Sequence, residues 1–364
     1  MNKAVIMNAK RTIIGKKNGV LKNYSPEQLA SYVIQELTEN LHEPVDDILL
    51  GNAVGPGGNL ARLSALESRQ PLSAPGMTVD RQCGSGLEAI RLACHLIQGG
   101  AGDTYVAGGV ESTSTSPYKN RARFSPKHIG DPDMGIAAEN VAEKYRISRE
   151  IQDEFARLSY QRSLDSLRKG YFSDELVSIT GIPARDEGLK PGLNYERMLK
   201  RLSSCFKKNG TVTAGNSSGV NDGAAAVLVM SEDKAKELHL QPILRFVDST
   251  VIGVDPHFPA TGPIPAVSKL LAKNNLTIED IDLIEINEAF AVKVALFARE
   301  FSIPYDKINR EGGAIAMGHP YGASGANLVT RLFHQAKRYQ PNYCLATIGI
   351  GGGLGIAVLW EMVG

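Results

Sequence analysis

The sequence predicts an α/β protein made of two similar halves with an insertion between them. Three observations carry that expectation. Strand-like apolar runs alternate with amphipathic helical ones, the pattern of the first third returns in the last third, and the stretch between them is polar and charged. The 364 residues are too many for one small core and suit two joined layered units.

The first strand reads KAVIMN, Lys3 to Asn8. A helix is expected over 26–40, with Ser25 as cap and Pro26 at its first position. Ile48 to Leu50 reads as a short buried strand, and Met77 to Val79 leads into Cys83. Leu87, Ile90, Cys94 and Ile97 then share one helical face, ended by Gly99-Gly100. Tyr105 to Ala107 is a strand stopped by Gly108-Gly109. In the last third Ile243 to Val247 repeats the first strand, and a helix covers 265–274. DLIEIN, Asp282 to Asn287, mirrors DDILLGN, and a turn ending in Ser324-Gly325 mirrors Ser85-Gly86. The step from Gly86 to Tyr105 equals that from Gly325 to Cys344. Strands alternating with helices imply a mainly parallel sheet covered on both faces.

The first half is placed at 1–241 and the second at 242–364. Residues 117–208 read as a partly helical loop-domain insertion over the core. Thr211 to Ser231 then reads as strand, turn and strand.

Composition narrows the function. A formal net charge of +1 argues against a nucleic-acid binder. Four cysteines without CxxC spacing suggest neither a zinc site nor a redox pair, and fit free thiols in a reducing, cytoplasmic setting. No apolar stretch reads as a signal peptide or a membrane span.

Cys83 sits in DRQCGSG, where glycines allow a tight strand-to-helix turn and a helix begins just after the thiol. A helix N-terminus favours a thiolate and brings a cysteine pKa from about 8.5 towards roughly 3.5–7.5. The other reading is a small buried residue at a crowded turn. His319 lies in GGAIAMGHPYGASG, a glycine-rich loop ahead of a helix. It is placed to take the thiol proton, to donate to an oxyanion, or to cap a loop carbonyl. Asn287, in NEAF, reads as a helix N-cap, as the holder of a bound water, or both. IGIGGGLG, Ile348 to Gly355, does not match GxGxxG and precedes a strand, Ile356 to Val363, so its free N–H groups suit an oxyanion better than a dinucleotide. Cys94 belongs to the core, and Cys205 receives no role. Arg121, Arg123, Lys127 and His128 form a basic cluster that is a solvated face or a phosphate contact.

Taken in order, DRQCGSG, AGGVES, TVTAGNSSGVNDGAAAVLVMSE, ATGPIP, NEAF, GGAIAMGHPYGASG and IGIGGGLG resemble the thiolases, over almost the whole chain. The resemblance implies a duplicated fold in five layers, α-β-α-β-α, with a loop domain. It implies an acetyl-CoA C-acetyltransferase of fatty-acid metabolism, using acyl-CoA and CoA as substrates and no metal or prosthetic group. By motif position Cys83 is the nucleophile, His319 activates it, and Asn287 holds the water of a first oxyanion hole. The N–H groups of Cys83 and Gly351 form the second hole. Ser218 touches the pantetheine arm, and Met134, Ala289 and Phe290 line the acyl pocket.

Two departures stand out. Thiolases carry a second cysteine, the acid/base of the carbon–carbon step, where this chain has Gly349. Cys344 is a poor substitute, roughly 16 Å back along a strand and facing the other way. Loss of an acid/base costs about 10²–10⁴-fold in rate, which admits a second reading: an acyl-CoA binder or altered acyltransferase with an impaired carbon–carbon step. The stretch between Tyr118 and Met134 is also short, and Asp133 stands where the family has a histidine. In thiolases this stretch includes the loop that joins two dimers. The chain is therefore expected to form a homodimer, and light scattering that found a stable tetramer would contradict this.

Overall fold

The computed structural model describes residues 2–41, 43–118 and 120–363. The strands are β1 (Ala4–Arg11), β2 (Gly15–Lys16), β3 (Asp47–Gly51), β4 (Met77–Val79), β5 (Thr104–Ser112), β6 (Asn221–Ser231), β7 (Leu244–Gly253), β8 (Leu283–Ile286), β9 (Tyr343–Ile350) and β10 (Leu354–Met362). The helices are α1 (Pro26–Thr38), α2 (Leu60–Glu67), α3 (Ser85–Gln98), α4 (Met134–Tyr145), α5 (Arg149–Arg168), α6 (Tyr195–Arg201), α7 (Glu232–Glu237), α8 (Pro263–Lys273), α9 (Ala291–Glu300), α10 (Ala314–Met317) and α11 (Tyr321–Tyr339).

Alternation along the strands builds the layers. In β1, Ala4 and Ile6 face a core shared with α3 and α11, whereas Val5 faces one shared with α1 and α2. In β10, Ile356, Val358 and Trp360 face the first core, and Ala357 and Leu359 face a third with α8, α9 and α5. Reading across gives α1/α2, half-sheet, α3/α11, half-sheet, α8/α9. This is the five-layered arrangement the resemblance implied.

The strand order is β4-β3-β5-β6-β1-β7-β10-β9-β8, with β2 beside β6. The repeat is visible in it: β3-β5-β6-β1 in one half answers β8-β9-β10-β7 in the other. The sheet is not mainly parallel as expected. Only β3–β4, β3–β5 and β8–β9 run parallel among the described residues, while β6, β1, β7 and β10 pair antiparallel with their neighbours. The expectation failed because β6 returns from the insertion and β10 from a hairpin, neither through a crossover helix. That hairpin turns at Gly351–Gly353, with φ of 84° at Gly352 and 79° at Gly353, which only glycine adopts readily.

Other boundaries also moved. Gly108-Gly109 do not stop β5. A Cβ on Gly109 would lie 2.0 Å from the Gly322 carbonyl, so this pair gives α11 room to approach the strand. Ser324-Gly325 lie inside the first turn of α11 rather than before it. Thr211 to Ser231 is a loop followed by one strand, because Asn216 folds the loop on itself. Its side chain accepts from Thr213 N–H (2.8 Å) and donates to Asp153 (2.9 Å).

The two central helices cross at their mirrored glycines. A Cβ on Gly86 would sit 2.7 Å from the Gly322 carbonyl and 3.0 Å from Ala326 N. One on Gly325 would sit 2.4 Å from Leu87 N. Gly325→Val is expected to lower stability by about 1–3 kcal/mol through overpacking, read from the urea midpoint. An unchanged midpoint would mean that the crossing tolerates a side chain.

Candidate active site

Cys83 and His319 each sit just ahead of one of these crossing helices. The turn before α3 is held by Ser85, whose Oγ accepts from Arg81 N–H (2.8 Å) and donates to the Gln82 carbonyl (2.6 Å). Gln82 has φ of 47°, a conformation uncommon outside glycine and concentrated at functional sites. Cys83 follows it, partly exposed, with α3 beginning two residues later. Gly84 admits Ile350 of β9, whose Cδ1 would be 2.4 Å from a Cβ there. The turn after Ile350 is thereby brought to Cys83, and the N–H groups of Gly351 and of Cys83 itself point at the sulfur.

Ser324 repeats the device on the other helix. Its Oγ donates to the Pro320 carbonyl (2.8 Å) and contacts His319 Nδ1. Because that hydroxyl proton is used, the network assigns the imidazole proton to Nδ1, donating to Ser324 Oγ. Nε2 is then the accepting nitrogen, and Asn287 Nδ2 donates towards it at 3.4 Å. The His319 backbone N–H donates to Asn221 Oδ1 (2.9 Å), and Asn221 Nδ2 donates to the Gly15 carbonyl (2.8 Å).

Asn287 is not a helix cap, since α9 begins at Ala291 after Phe290. It follows β8 directly and is 2 % exposed, and its neighbour Glu288 is buried and anchored. That carboxylate accepts from Ser159 (2.6 Å), Asn309 (2.7 Å) and Ile315 N–H (3.0 Å). Ser218 N–H donates to the Ala289 carbonyl (2.9 Å), so the NSSGVND loop is laced to the NEAF turn. Met134 opens α4, where Asp133 caps the helix by accepting from Gly135 N–H (2.9 Å). Phe206 and Phe290 meet edge to face at 6.1 Å.

Burial governs the electrostatics. It pushes the Cys83 thiol up to about 11, against the lowering effects of Lys293 and of the two N–H groups; Glu111 adds to the rise. The expectation of a thiolate set by the helix N-terminus is therefore corrected: the unliganded sulfur carries its proton, because desolvation outweighs the dipole. Burial also takes His319 down to about 3, with Lys293 adding to the fall, so the ring is neutral. Lys293 is itself brought down to about 8 by burial, opposed by Cys83 and Glu288.

Several residues of the site went unnoticed in the sequence. Asn221 lay in a quoted motif but had no assigned partner. Glu111, raised to about 7 by burial, accepts from Asn52, Ala53 N–H, Val54 N–H and Gly322 N–H, tying the β3 end to α11. Phe124 of the insertion abuts the turn at Gly351: a Cβ on Gly351 would be 2.7 Å from its ring. Lys293 carried a signal, a charge inside the apolar helix AVKVALFA. Arg121 of the basic cluster is engaged by Asp131 (3.0 Å), while Arg123, Lys127 and His128 are exposed. Cys94 and Cys344 are buried in the central core, and Cys205 is exposed.

Comparison with known proteins agrees with this geometry. Residues 4–233 match the family model "Thiolase, N-terminal domain", and residues 240–362 match "Thiolase, C-terminal domain". The chain belongs to the thiolase family. A Bacillus subtilis (strain 168) relative, provisionally named acetyl-CoA C-acetyltransferase YhfS, is 56% identical over 363 residues, covering 99% of both chains. A Staphylococcus aureus (strain MW2) relative, provisionally named acetyl-CoA C-acetyltransferase VraB, is 47% identical over 385 aligned residues, again covering 99% of each. Among solved structures, the Bacillus anthracis acetyl-CoA acetyltransferase superposes with a TM-score of 0.93 at 38% identity, covering 100% of this chain and 99% of the other. Human mitochondrial 3-ketoacyl-CoA thiolase in complex with CoA gives 0.93 at 36%, covering 100% and 98%.

In this thiolase, alkylation of Cys83 should report its protonation. The folded thiol lies above its ordinary value of 9.0, so the thiolate fraction grows as pH rises. The rate of iodoacetamide labelling should climb from pH 7 to pH 10; a plateau already reached at pH 7 would contradict the raised value.

Proposed function

We propose that the protein is an acetyl-CoA C-acetyltransferase, cleaving acetoacetyl-CoA or a longer 3-ketoacyl-CoA with CoA, or running the same equilibrium as a condensation. One observation carries this most directly: two backbone N–H groups aim at Cys83 while His319 presents an accepting Nε2 beside Asn287. That arrangement suits acyl transfer through a cysteine.

In the forward direction, Cys83 sulfur attacks the C3 carbonyl as its proton passes to His319 Nε2. The new Nε2–H and Asn287 then stabilise the oxyanion. The bond between C2 and C3 breaks; its electron pair forms the enolate of acetyl-CoA, which takes a proton at C2 that the CoA thiol later replaces. The acyl group stays on Cys83 with its carbonyl oxygen against the N–H groups of Cys83 and Gly351. Attack by CoA on that carbonyl releases the second thioester, and Cys83 recovers its proton. Ser218 would contact the pantetheine arm, and Met134, Ala289, Phe290 and Phe206 would bound the acyl group. No helix among the described residues is long and apolar enough to cross a membrane. A cytoplasmic homodimer working on CoA thioesters without a prosthetic group completes the reading.

The alternative, an acyl-CoA binder without the carbon–carbon step, rests on Gly349 alone. Relatives that match over the whole chain do not favour it.

Purified protein should consume acetoacetyl-CoA only when CoA is supplied, and Cys83→Ala should remove this activity. Asn287→Ala should lower kcat roughly 10²–10³-fold through loss of one oxyanion donor. A Cys83→Ala protein that still cleaved acetoacetyl-CoA would overturn the proposal.

A further inference from the structure

The third residue of α9 is a lysine among buried apolar neighbours, Val292, Val294, Ala295 and Leu296. Lys293 is 2 % exposed, and among the described residues its ammonium makes neither a hydrogen bond nor an ion pair. Burying such a charge is costly, and nothing in the packing of α9 requires it. A use at the site is the simpler account of its presence.

Its position supplies that use. The Lys293 stem runs past Gly349. A Cβ built on Gly349 would be 3.3 Å from Lys293 Cδ, 3.1 Å from Pro263 Cδ and 2.9 Å from the Pro259 carbonyl oxygen. The Pro259 carbonyl, Pro263 and the lysine stem already fill the place a side chain at 349 would take, so the stem can lie there only because the residue is glycine. Strand alternation points the same way: Cys344, Ala346, Ile348 and Ile350 face the central core, so Gly349 faces the α8/α9 layer that holds Lys293. The groups facing the amine are Cys83 from the turn before α3, His319 from the loop before α11, and Glu288 from the turn before α9. Glu288 is occupied by Ser159, Asn309 and Ile315.

We propose that Lys293 is the acid/base of the carbon–carbon step, taking the task of the cysteine that Gly349 replaces. The inference rests on the thiolase activity proposed above and adds a catalytic residue to it. In cleavage, the electron pair of the broken C2–C3 bond forms the enolate of acetyl-CoA, and its α-carbon takes a proton from the Lys293 ammonium. The resulting amine removes the thiol proton of the incoming CoA. The CoA sulfur attacks the acyl carbonyl, the bond to Cys83 breaks, and the departing sulfur regains its proton from His319. In condensation the amine removes the α-proton of acetyl-CoA, and the enolate carbon attacks acyl-Cys83. An amine brought down to about 8 exists in both protonation states near neutral pH, as this work requires.

Gly349 is then half of an exchange, and returning a cysteine to it does not restore the ordinary site. The new Cβ would press on the Pro259 carbonyl and the lysine stem.

Lys293→Ala tests the assignment. Acetylation of Cys83 by acetyl-CoA should slow but still reach completion, because a CoA thiolate can leave without a proton donor. Thiolysis of acetoacetyl-CoA should fall roughly 10²–10⁴-fold, and ethylamine in the buffer should restore part of it. The wild type should also exchange the methyl protons of acetyl-CoA in D2O, and the variant should not. A variant that turns over and exchanges like the wild type overturns the inference, as does one that loses acetylation and turnover together. Retained turnover in Lys293→Arg also overturns it, since a fixed charge would then suffice. Failure of the thiolase reading looks different: the wild type itself would neither acetylate Cys83 nor cleave acetoacetyl-CoA.

Discussion

The site depends on how closely α3 and α11 approach. A glycine on each helix meets the residue after the other's glycine: Gly86 lies against Ala326, and Gly325 against Leu87. Gly322 adds its carbonyl to the contact, and Gly109 of β5 clears space for it. Side chains at these positions would drive the helices apart, because a close-packed interior cannot absorb an extra group without displacement. With the helices in contact, the turn before one and the loop before the other converge. The same Ser-Gly pair serves both: Ser85 ties the turn that carries Cys83, and Ser324 fixes the tautomer of His319. Duplication therefore supplied two equivalent helix ends, and divergence left a cysteine ahead of one and a histidine ahead of the other.

Desolvation sets the resting state of this shared space. A thiol near 11, an imidazole near 3 and an amine near 8 are all displaced towards their uncharged forms. The free enzyme thus holds its protons and does not store a reactive thiolate. Charge develops when a substrate carbonyl arrives to receive it, next to N–H groups already in place. Such preorganised donors gain strength where water is excluded. The buried lysine fits the same logic, since its value lies in changing protonation state and not in a permanent salt bridge.

Much of this was legible in the sequence. The repeat was visible in spacing, and it survives as matching strand order in the two halves. Cys83 and His319 could be named because glycine-rich turns beside a reactive residue are local patterns, Asn287 and Gly351 because their motifs resemble a family's. The structure sets Asn287 beside His319 and Gly351 beside Cys83. Ser218, Ala289 and Phe290 come together through backbone pairing that the motifs did not reveal. Strand direction was misjudged because a long excursion between β5 and β6 leaves no mark of whether the chain returns parallel. The glycines of β5 looked like a stop because their purpose, clearance for Gly322, lies more than 200 residues away. The state of Cys83 was misjudged for a related reason: helix position is local, whereas burial is a sum over the whole fold. Phe124 and Phe206 had no sequence pattern at all, and only the path of the insertion places them.

The central claim is that a protonated, partly buried Cys83 takes an acyl group once a thioester binds. Peptide mass spectrometry after brief mixing with acetyl-CoA tests it most directly. The account predicts one acetyl group per chain, confined to the peptide that contains Cys83, with release of one CoA. Acetyl groups spread over the exposed Cys205, or none on Cys83, would contradict it.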